Sequence, residues 1–284
     1  MTTMLRRDRH ADDTLVGVAP DAVARMAAVA RGFAAVSLRE LGAAALMDRV
    51  DTKFVLPAAE APAILESLAG EYRVLEVGGR RVARYNTRYF DTPELRLYHA
   101  HHAGRPRRHK VRVRTYVDSE ARFLEVKLRT GKGRTAKERV PLAHDTLDPM
   151  ERLDRDALLA PGVGFSARDL REALVVDYTR LTLVRNDVPE RITLDLMLRF
   201  SRGGESRGYP GVVIAEVKQE HRVRSRFLDA MRARRLREGS LSKYCLGITA
   251  LEPAARTNHF RRALRRLETI DQGHLAPAYA GHES

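Results

Sequence analysis

From about residue 46 to residue 251, charged and apolar residues alternate at every second position in a series of short segments. That is the period of a β-strand, whose successive side chains face opposite sides. Arg49, Asp51 and Lys53 share one face of the first segment, ahead of Pro57, and Arg84, Asn86 and Arg88 share a face of a later one that ends at the Asp91-Thr92-Pro93 turn. Lys110, Arg112 and Arg114 alternate with Val111, Val113 and Thr115, and Glu125, Lys127 and Arg129 alternate with Leu124, Val126 and Leu128. After a Gly131-Lys132-Gly133 turn, Lys137 and Arg139 continue the series. The second half repeats the arrangement with Tyr178, Arg180 and Thr182, then Arg191, Thr193 and Asp195, then Glu216 and Lys218. Helical periodicity is confined to flanks and connectors: Ala59 to Leu68, Arg226 to Leu236, and a stretch where Asp21 is placed to cap a helix carrying Val23, Met26, Ala27 and Ala30. The pattern predicts an α+β fold dominated by an antiparallel sheet. It also predicts an N-terminal arm over 1–40, a main domain over 41–252 and a basic helical tail over 253–284.

Alternation alone fits an ordinary sheet with one dry face and one wet face. A wet face, however, usually mixes both signs of charge, whereas nearly every segment here offers Arg or Lys. Laid flat and empty, such a face repels itself; rolled inward, it requires a polyanion in the lumen. Periodicity leaves both a tunnel and a flat nucleic-acid-binding sheet open. Composition agrees with either, because 51 basic against 37 acidic residues give a formal net charge of +14 over 284 residues, a balance that favours polyanionic partners. A single cysteine, Cys245, excludes an internal disulfide and a multi-cysteine zinc site. No apolar run is long enough to span a bilayer, and the expectation is a soluble, cytoplasmic protein without a membrane span. With no helix-turn-helix or zinc-finger pattern, no sequence-specific nucleic acid is expected as a partner.

The ordered motifs decide between the two architectures. Arg49-Val50-Asp51-Thr52-Lys53-Phe54, Tyr89-Phe90-Asp91-Thr92-Pro93, Lys110-Val111-Arg112-Val113-Arg114 and Phe123-Leu124-Glu125-Val126-Lys127 stand in that order. Lys137-Glu138-Arg139, Tyr178-Thr179-Arg180, Arg191-Ile192-Thr193-Leu194-Asp195, Ile214-Ala215-Glu216-Val217-Lys218 and Ser242-Lys243-Tyr244 follow. As a set they resemble the VTC (vacuolar transporter chaperone) domain, the polyphosphate polymerase branch of the triphosphate tunnel metalloenzymes. The resemblance implies an eight-stranded antiparallel β-tunnel, a closed barrel with a polar, cationic lumen and flanking helices. It departs from the wider superfamily where the hallmark Glu-x-Glu-x-Lys reads Arg49-x-Asp51-x-Lys53, which points to the polymerase branch. It departs again at Ser240, where the family often carries a second lysine.

By that resemblance Lys53, Arg112, Arg114, Lys127, Lys137, Arg180, Arg191, Lys218 and Lys243 bind phosphates, and Glu216 holds a divalent metal, Mn²⁺ or Mg²⁺, with Glu125 and Asp195 in reserve. Arginine suits phosphate because its fork donates two parallel hydrogen bonds, and lysine supplies a movable point charge. The implied partners are ATP and inorganic polyphosphate, and the implied activity is ATP-dependent polyphosphate synthesis with no covalent side-chain nucleophile. A metal-dependent triphosphatase on the same fold and a non-catalytic polyanion-binding module are the alternatives. Other features carry less. His99, His101 and His102 are read as a solvated loop, Cys245 as a packed side chain, and Gly131-Lys132-Gly133-Arg134 as a hairpin turn too short for a Walker loop.

Overall fold

A computed structural model describes residues 19–43, 50–130, 135–146, 148–155 and 165–275. Arg49 and the Gly131–Arg134 turn lie outside the described residues. The elements run α1 (Ala19–Ala30), β1 (Ala35–Val36), α2 (Leu38–Ala43), β2 (Val50–Pro57), α3 (Ala61–Glu66), β3 (Tyr72–Leu75), β4 (Val82–Asp91) and α4 (Arg96–His102). They continue with β5 (Arg108–Tyr116), β6 (Ala121–Arg129), β7 (Thr135–Leu142), α5 (Pro149–Arg155), β8 (Arg171–Arg185), β9 (Glu190–Arg202), β10 (Glu205–Tyr209) and β11 (Val212–Gln219). Three helices end the described chain: α6 (Arg226–Ala233), α7 (Lys243–Leu251) and α8 (Asn258–Leu275). Helix α1 begins at Ala19, ahead of Asp21, so Asp21 lies inside the helix instead of capping it.

The fold is α+β, with helices flanking a largely antiparallel sheet. Its main path is β2-β11-β9-β8-β4-β5-β6-β7, and β1, β3 and β10 are added off that path to make 11 strands. The expected eight-stranded closed barrel is corrected on both counts, because β2 and β7 end the path and are not paired to each other. The free edge of β2 is covered by the chain leading into α7, whose Gly239 N–H donates to the Lys53 carbonyl. Alternation specifies which side chains share a face; closure requires a matching tilt and stagger between the two end strands, which a period of two does not encode.

Two apolar layers position the charged face. On the outer side, Phe54, Leu56, Leu181, Leu183, Ile192, Leu194, Leu196 and Val217 pack under α1, α3 and α6. On the inner side, Val55, Ile214, Leu174, Val176, Leu198 and Phe200 pack against α7 and α8. Strand β9 contributes to both layers because its pairing with β8 shifts register between Asp177 and Thr179, opposite Met197, a non-glycine residue at φ 53°. One extra residue in a strand reverses its facing, so Leu196 points out while Leu198 points in. The β9–β10 hairpin turns on Gly203 and Gly204, both at positive φ, as a tight two-residue loop requires. Among the described residues, no helix is long and apolar enough to cross a membrane.

Candidate functional site

The polar half of the inner face is built in rows by the strand register. Lys110, Lys127 and Lys137 stand side by side across β5, β6 and β7, and Arg112, Glu125 and Arg139 form the adjacent row. Like charges directly opposite each other in a ladder are destabilising, and this row is offset in part by Glu125, 2.8 Å from Lys137. At the other end of the path, Lys53 on β2 faces Glu216 on β11, which faces Thr193 on β9, while Asp51, Lys218 and Arg191 form the next row. Burial disfavours the charges of Lys127 and Lys110, and Lys53 adds to the effect on both while Asp51 and Glu216 oppose it on Lys127. The sheet thus curls its two ends toward each other without closing.

Each carboxylate inside is held by cations. Glu125, with 2% of its side chain exposed, lies 2.6 Å from Arg112 Nη2, 2.8 Å from Lys137 Nζ, 3.7 Å from Arg139 and 3.8 Å from Arg114. Burial alone would raise its pKa, yet Arg112, Arg114 and Lys137 hold the carboxyl well below the usual range. Asp195 accepts from Arg180 Nε at 2.5 Å and Nη2 at 2.8 Å, and pairs with Lys243. Against a similar burial penalty, Arg180 and Lys243 keep it ionised. Glu216 pairs with Lys218 and lies 3.6 Å from Lys53 Nζ, so its Oε1 is the most loosely held of these carboxylate oxygens. Burial works against its charge too, and Lys218 and Lys53 more than offset it.

Lys110 belongs with this group, although the sequence motifs place no role on it. Burial, reinforced by Lys53, Lys127 and Arg112, pushes its pKa down to about 8, and burial likewise brings Lys218 to about 8. The signal was present in the alternation of Lys110 with Arg112 and Arg114 on one strand face. Strand β4 requires the opposite correction. Its Arg84, Asn86 and Arg88 face outward, toward Asp118, Asp177 and Glu172. The inner positions are Tyr85, Thr87 and Tyr89: Tyr89 accepts from Arg112 at 3.4 Å, and Arg180 lies 5.1 Å from the Tyr85 ring centroid. One face of β4 is polar and the other carries Tyr85 and Tyr89, and the aromatic face is the one that packs against the inner strands and α7. Buried Thr87 Oγ1, Thr193 Oγ1 and Arg114 Nε, all at inner positions, have no hydrogen-bond partner among the described residues, a state that native interiors resolve with water or a ligand.

Helix α7 fills the apolar end of the concavity. Ser242 caps it by accepting from the Cys245 N–H, Lys243 reaches Asp195, and the Lys53 ammonium donates to the Leu241 carbonyl at 3.0 Å. Tyr244 stacks on Tyr89 at 5.1 Å and donates to buried Asp91, which also accepts from the Thr92, Leu97 and Tyr98 N–H groups. Cys245 is buried in this packing. The three histidines stand on the last turn of α4, not in a loop, and a His101 ring nitrogen lies 2.9 Å from the His109 carbonyl oxygen.

The VTC domain profile matches residues 48–252. The chain belongs to the VTC-domain family. Its match covers every strand of the main path, from β2 to β11, and ends just after α7. No curated protein matches the chain. Three solved structures are similar in part of the fold. A Bacillus halodurans protein proposed to be an adenylate cyclase is 11% identical over 69% of this chain and 94% of its own, with a TM-score of 0.43. The PH1819 protein of Pyrococcus horikoshii is 14% identical over 71% of this chain and 96% of its own, with a TM-score of 0.42. A Hippeastrum protein, proposed to be an adenylyl cyclase and described as having a dominant triphosphatase activity, is 13% identical over 72% of this chain and 98% of its own, with a TM-score of 0.46.

The donor set bears on the metal that the family implies. Among the described residues no three His, Cys, Asp or Glu side chains gather to cage an ion. A hard cation can instead take one carboxylate and complete its shell with phosphate oxygens and water. The loosely held Oε1 of Glu216 fits that arrangement; Glu125 and Asp195, each locked between guanidinium and ammonium groups, fit it less well.

Proposed function

We propose that this VTC domain makes inorganic polyphosphate from ATP, transferring the γ-phosphoryl group to the end of a growing chain while ADP leaves. The observation that carries the reading is the convergence of cations from both ends of the sheet on one volume. Lys53, Lys110, Arg112, Arg114, Lys127, Lys137, Arg139, Arg180, Arg191, Lys218 and Lys243 outnumber the carboxylates among them, Asp51, Glu125, Asp195 and Glu216. A single phosphate cannot engage so many donors, whereas a chain of them can.

Phosphoryl transfer asks the protein for in-line positioning and charge neutralisation more than for covalent chemistry. Arg112, Arg114 and Arg180, oriented by Glu125 and Asp195, present pre-set forks to phosphate oxygens. Lys110, Lys127 and Lys137 supply mobile charge beside them. Glu216 would hold a divalent ion, which supplies further neutralisation of the phosphate oxygens when bound. Because α7 occupies the apolar end, the product chain leaves through the polar end or along the unclosed side.

Incubating the protein with ATP and Mn²⁺ or Mg²⁺ and resolving the products by size tests the reading. Long phosphate chains with ADP are expected. Free phosphate without chains would make the protein a triphosphatase, and unchanged ATP would make it a binding module. Glu216→Ala and Lys127→Ala should each abolish turnover in a folded protein, and retained activity in both would sink the site assignment.

A further inference from the structure

Outside the tunnel, one cluster of arginines forms no ion pair with the carboxylates of Glu238 and Glu268 that lie near it. On α8, Phe260, Leu264 and Leu267 turn into the inner core, which leaves Arg261, Arg262, Arg265 and Arg266 on the remaining surface. Arg266 donates to the Arg237 carbonyl at 3.1 Å and reaches the Val55 carbonyl on the free edge of β2 at 3.5 Å. Burial, together with the charges of Arg237 and Arg262, lowers the pKa of Arg266, a sign that these guanidinium groups crowd one another. The acidic neighbours are engaged elsewhere: Glu238 with Arg222, Glu268 with Arg207, and Asp271 with the Gly211 N–H. Arg237 and Arg262 are exposed.

The cluster adjoins the tunnel through covalent and hydrogen-bonded neighbours. Val55 lies two residues along β2 from Lys53, and the segment that carries Arg237 is tied to Lys53 by the Gly239 N–H. This is the edge at which the sheet fails to close and over which the segment leading into α7 lies, so the arginines stand outside that segment. Helix α8 itself lies beyond the residues matched by the family profile.

We propose that Arg237, Arg262 and Arg266 form an external track that holds the part of a polyphosphate chain projecting past the unclosed edge of the tunnel. The proposal rests on the polyphosphate reading of the tunnel. Polyphosphate fits better than single-stranded nucleic acid, because Phe260 of α8 faces the core and the exposed His259 ring is already met edge-on by His102 and Phe260, which leaves a poor platform for base stacking beside the arginines. An extended chain of phosphates needs only a row of forks and charges.

Titration calorimetry of the full chain with tripolyphosphate and with long-chain polyphosphate separates track from tunnel. In an Arg237→Glu/Arg262→Glu variant, long-chain affinity should fall about tenfold or more with a shallower salt dependence, while tripolyphosphate affinity stays unchanged. An Arg237→Gln/Arg262→Gln pair gives the same ordering with a smaller loss, should charge reversal impair folding. No loss of long-chain affinity, or equal loss for both ligands, overturns the track. So does single-stranded RNA of matched charge that binds the wild type as tightly as polyphosphate and is lost in the same variants. A wild-type protein that ignores tripolyphosphate would instead remove the tunnel reading, and the long-chain arm would still report on the arginines.

Discussion

At the scale of single residues, the site divides into cations already paired and cations held in reserve. Arg112 and Arg180 are locked by Glu125 and Asp195, which fixes their forks before any ligand arrives. Lys110 is different, because burial, with smaller contributions from Lys53, Lys127 and Arg112, brings its pKa to about 8. An incoming polyphosphate stabilises the ammonium form, so binding draws a proton onto the protein where the free amine is partly neutral. Affinity for tripolyphosphate should therefore decline as the pH rises through about 8. Calorimetry in buffers of different ionisation heats should register proton uptake there, and Lys110→Met should take up fewer protons than the wild type. Binding that is indifferent to pH between 7 and 9 would exclude this role for Lys110. The residue was legible as part of an alternating face. Its depressed pKa was not, because that depends first on burial by strands brought together from distant parts of the chain, and then on charges such as Lys53, more than fifty positions earlier.

At the scale of elements, α7 is the piece that turns an open concave sheet into a one-ended site. Its approach is close at Gly247, where an added Cβ would come within 2.4 Å of Leu174 Cδ2 and 3.0 Å of Phe200 Cδ1. Alanine is the better helix former by about 1 kcal/mol, but Leu174 and Phe200 are both fully packed and have little room to yield. Gly247→Ala should destabilise the fold by about 1–3 kcal/mol, the usual range for overpacking, read as a lower urea midpoint. A midpoint equal to or above the wild type would show that α7 sits more loosely than the contacts imply. The connector helices over Ala61–Glu66 and Arg226–Ala233 were legible from their periodicity. The position of α7 inside the concavity was not, because the β9 register shift that turns Leu198 and Phe200 inward looks like unbroken strand in the sequence.

At the scale of the whole molecule, the formal net charge is +14, and eleven cations against four carboxylates share the inner face of a curled sheet. Cations so arranged repel one another at a cost in stability, and a polyanion bound there as proposed would relieve it. Tripolyphosphate at about a hundred times its Kd should add ~2.7 kcal/mol to the stability of the folded state. For a chain of this size that corresponds to a rise in Tm of roughly 5–10 °C. The rise should shrink as monovalent salt screens the site. A scan in which tripolyphosphate shifts Tm no more than an equal ionic strength of chloride would argue against a polyphosphate site.

The amino-acid sequence by itself determined the strand content, the residues that share each charged face and, through the order of its motifs, membership of the VTC-domain family. Those follow from local periodicity and from residue types at fixed spacing. Tertiary structure decided three things that no local pattern contains. It put the aromatic face of β4 inward and Arg84, Asn86 and Arg88 outward, because Tyr85 and Tyr89 have α7 and the inner strands to pack against. It left β2 and β7 unpaired to each other, because edge-to-edge closure depends on the stagger summed over every strand between them. And it set Lys110, Lys127 and Lys137 in one row within reach of the charge of Lys53, because curling of the sheet brings together strands far apart in the chain.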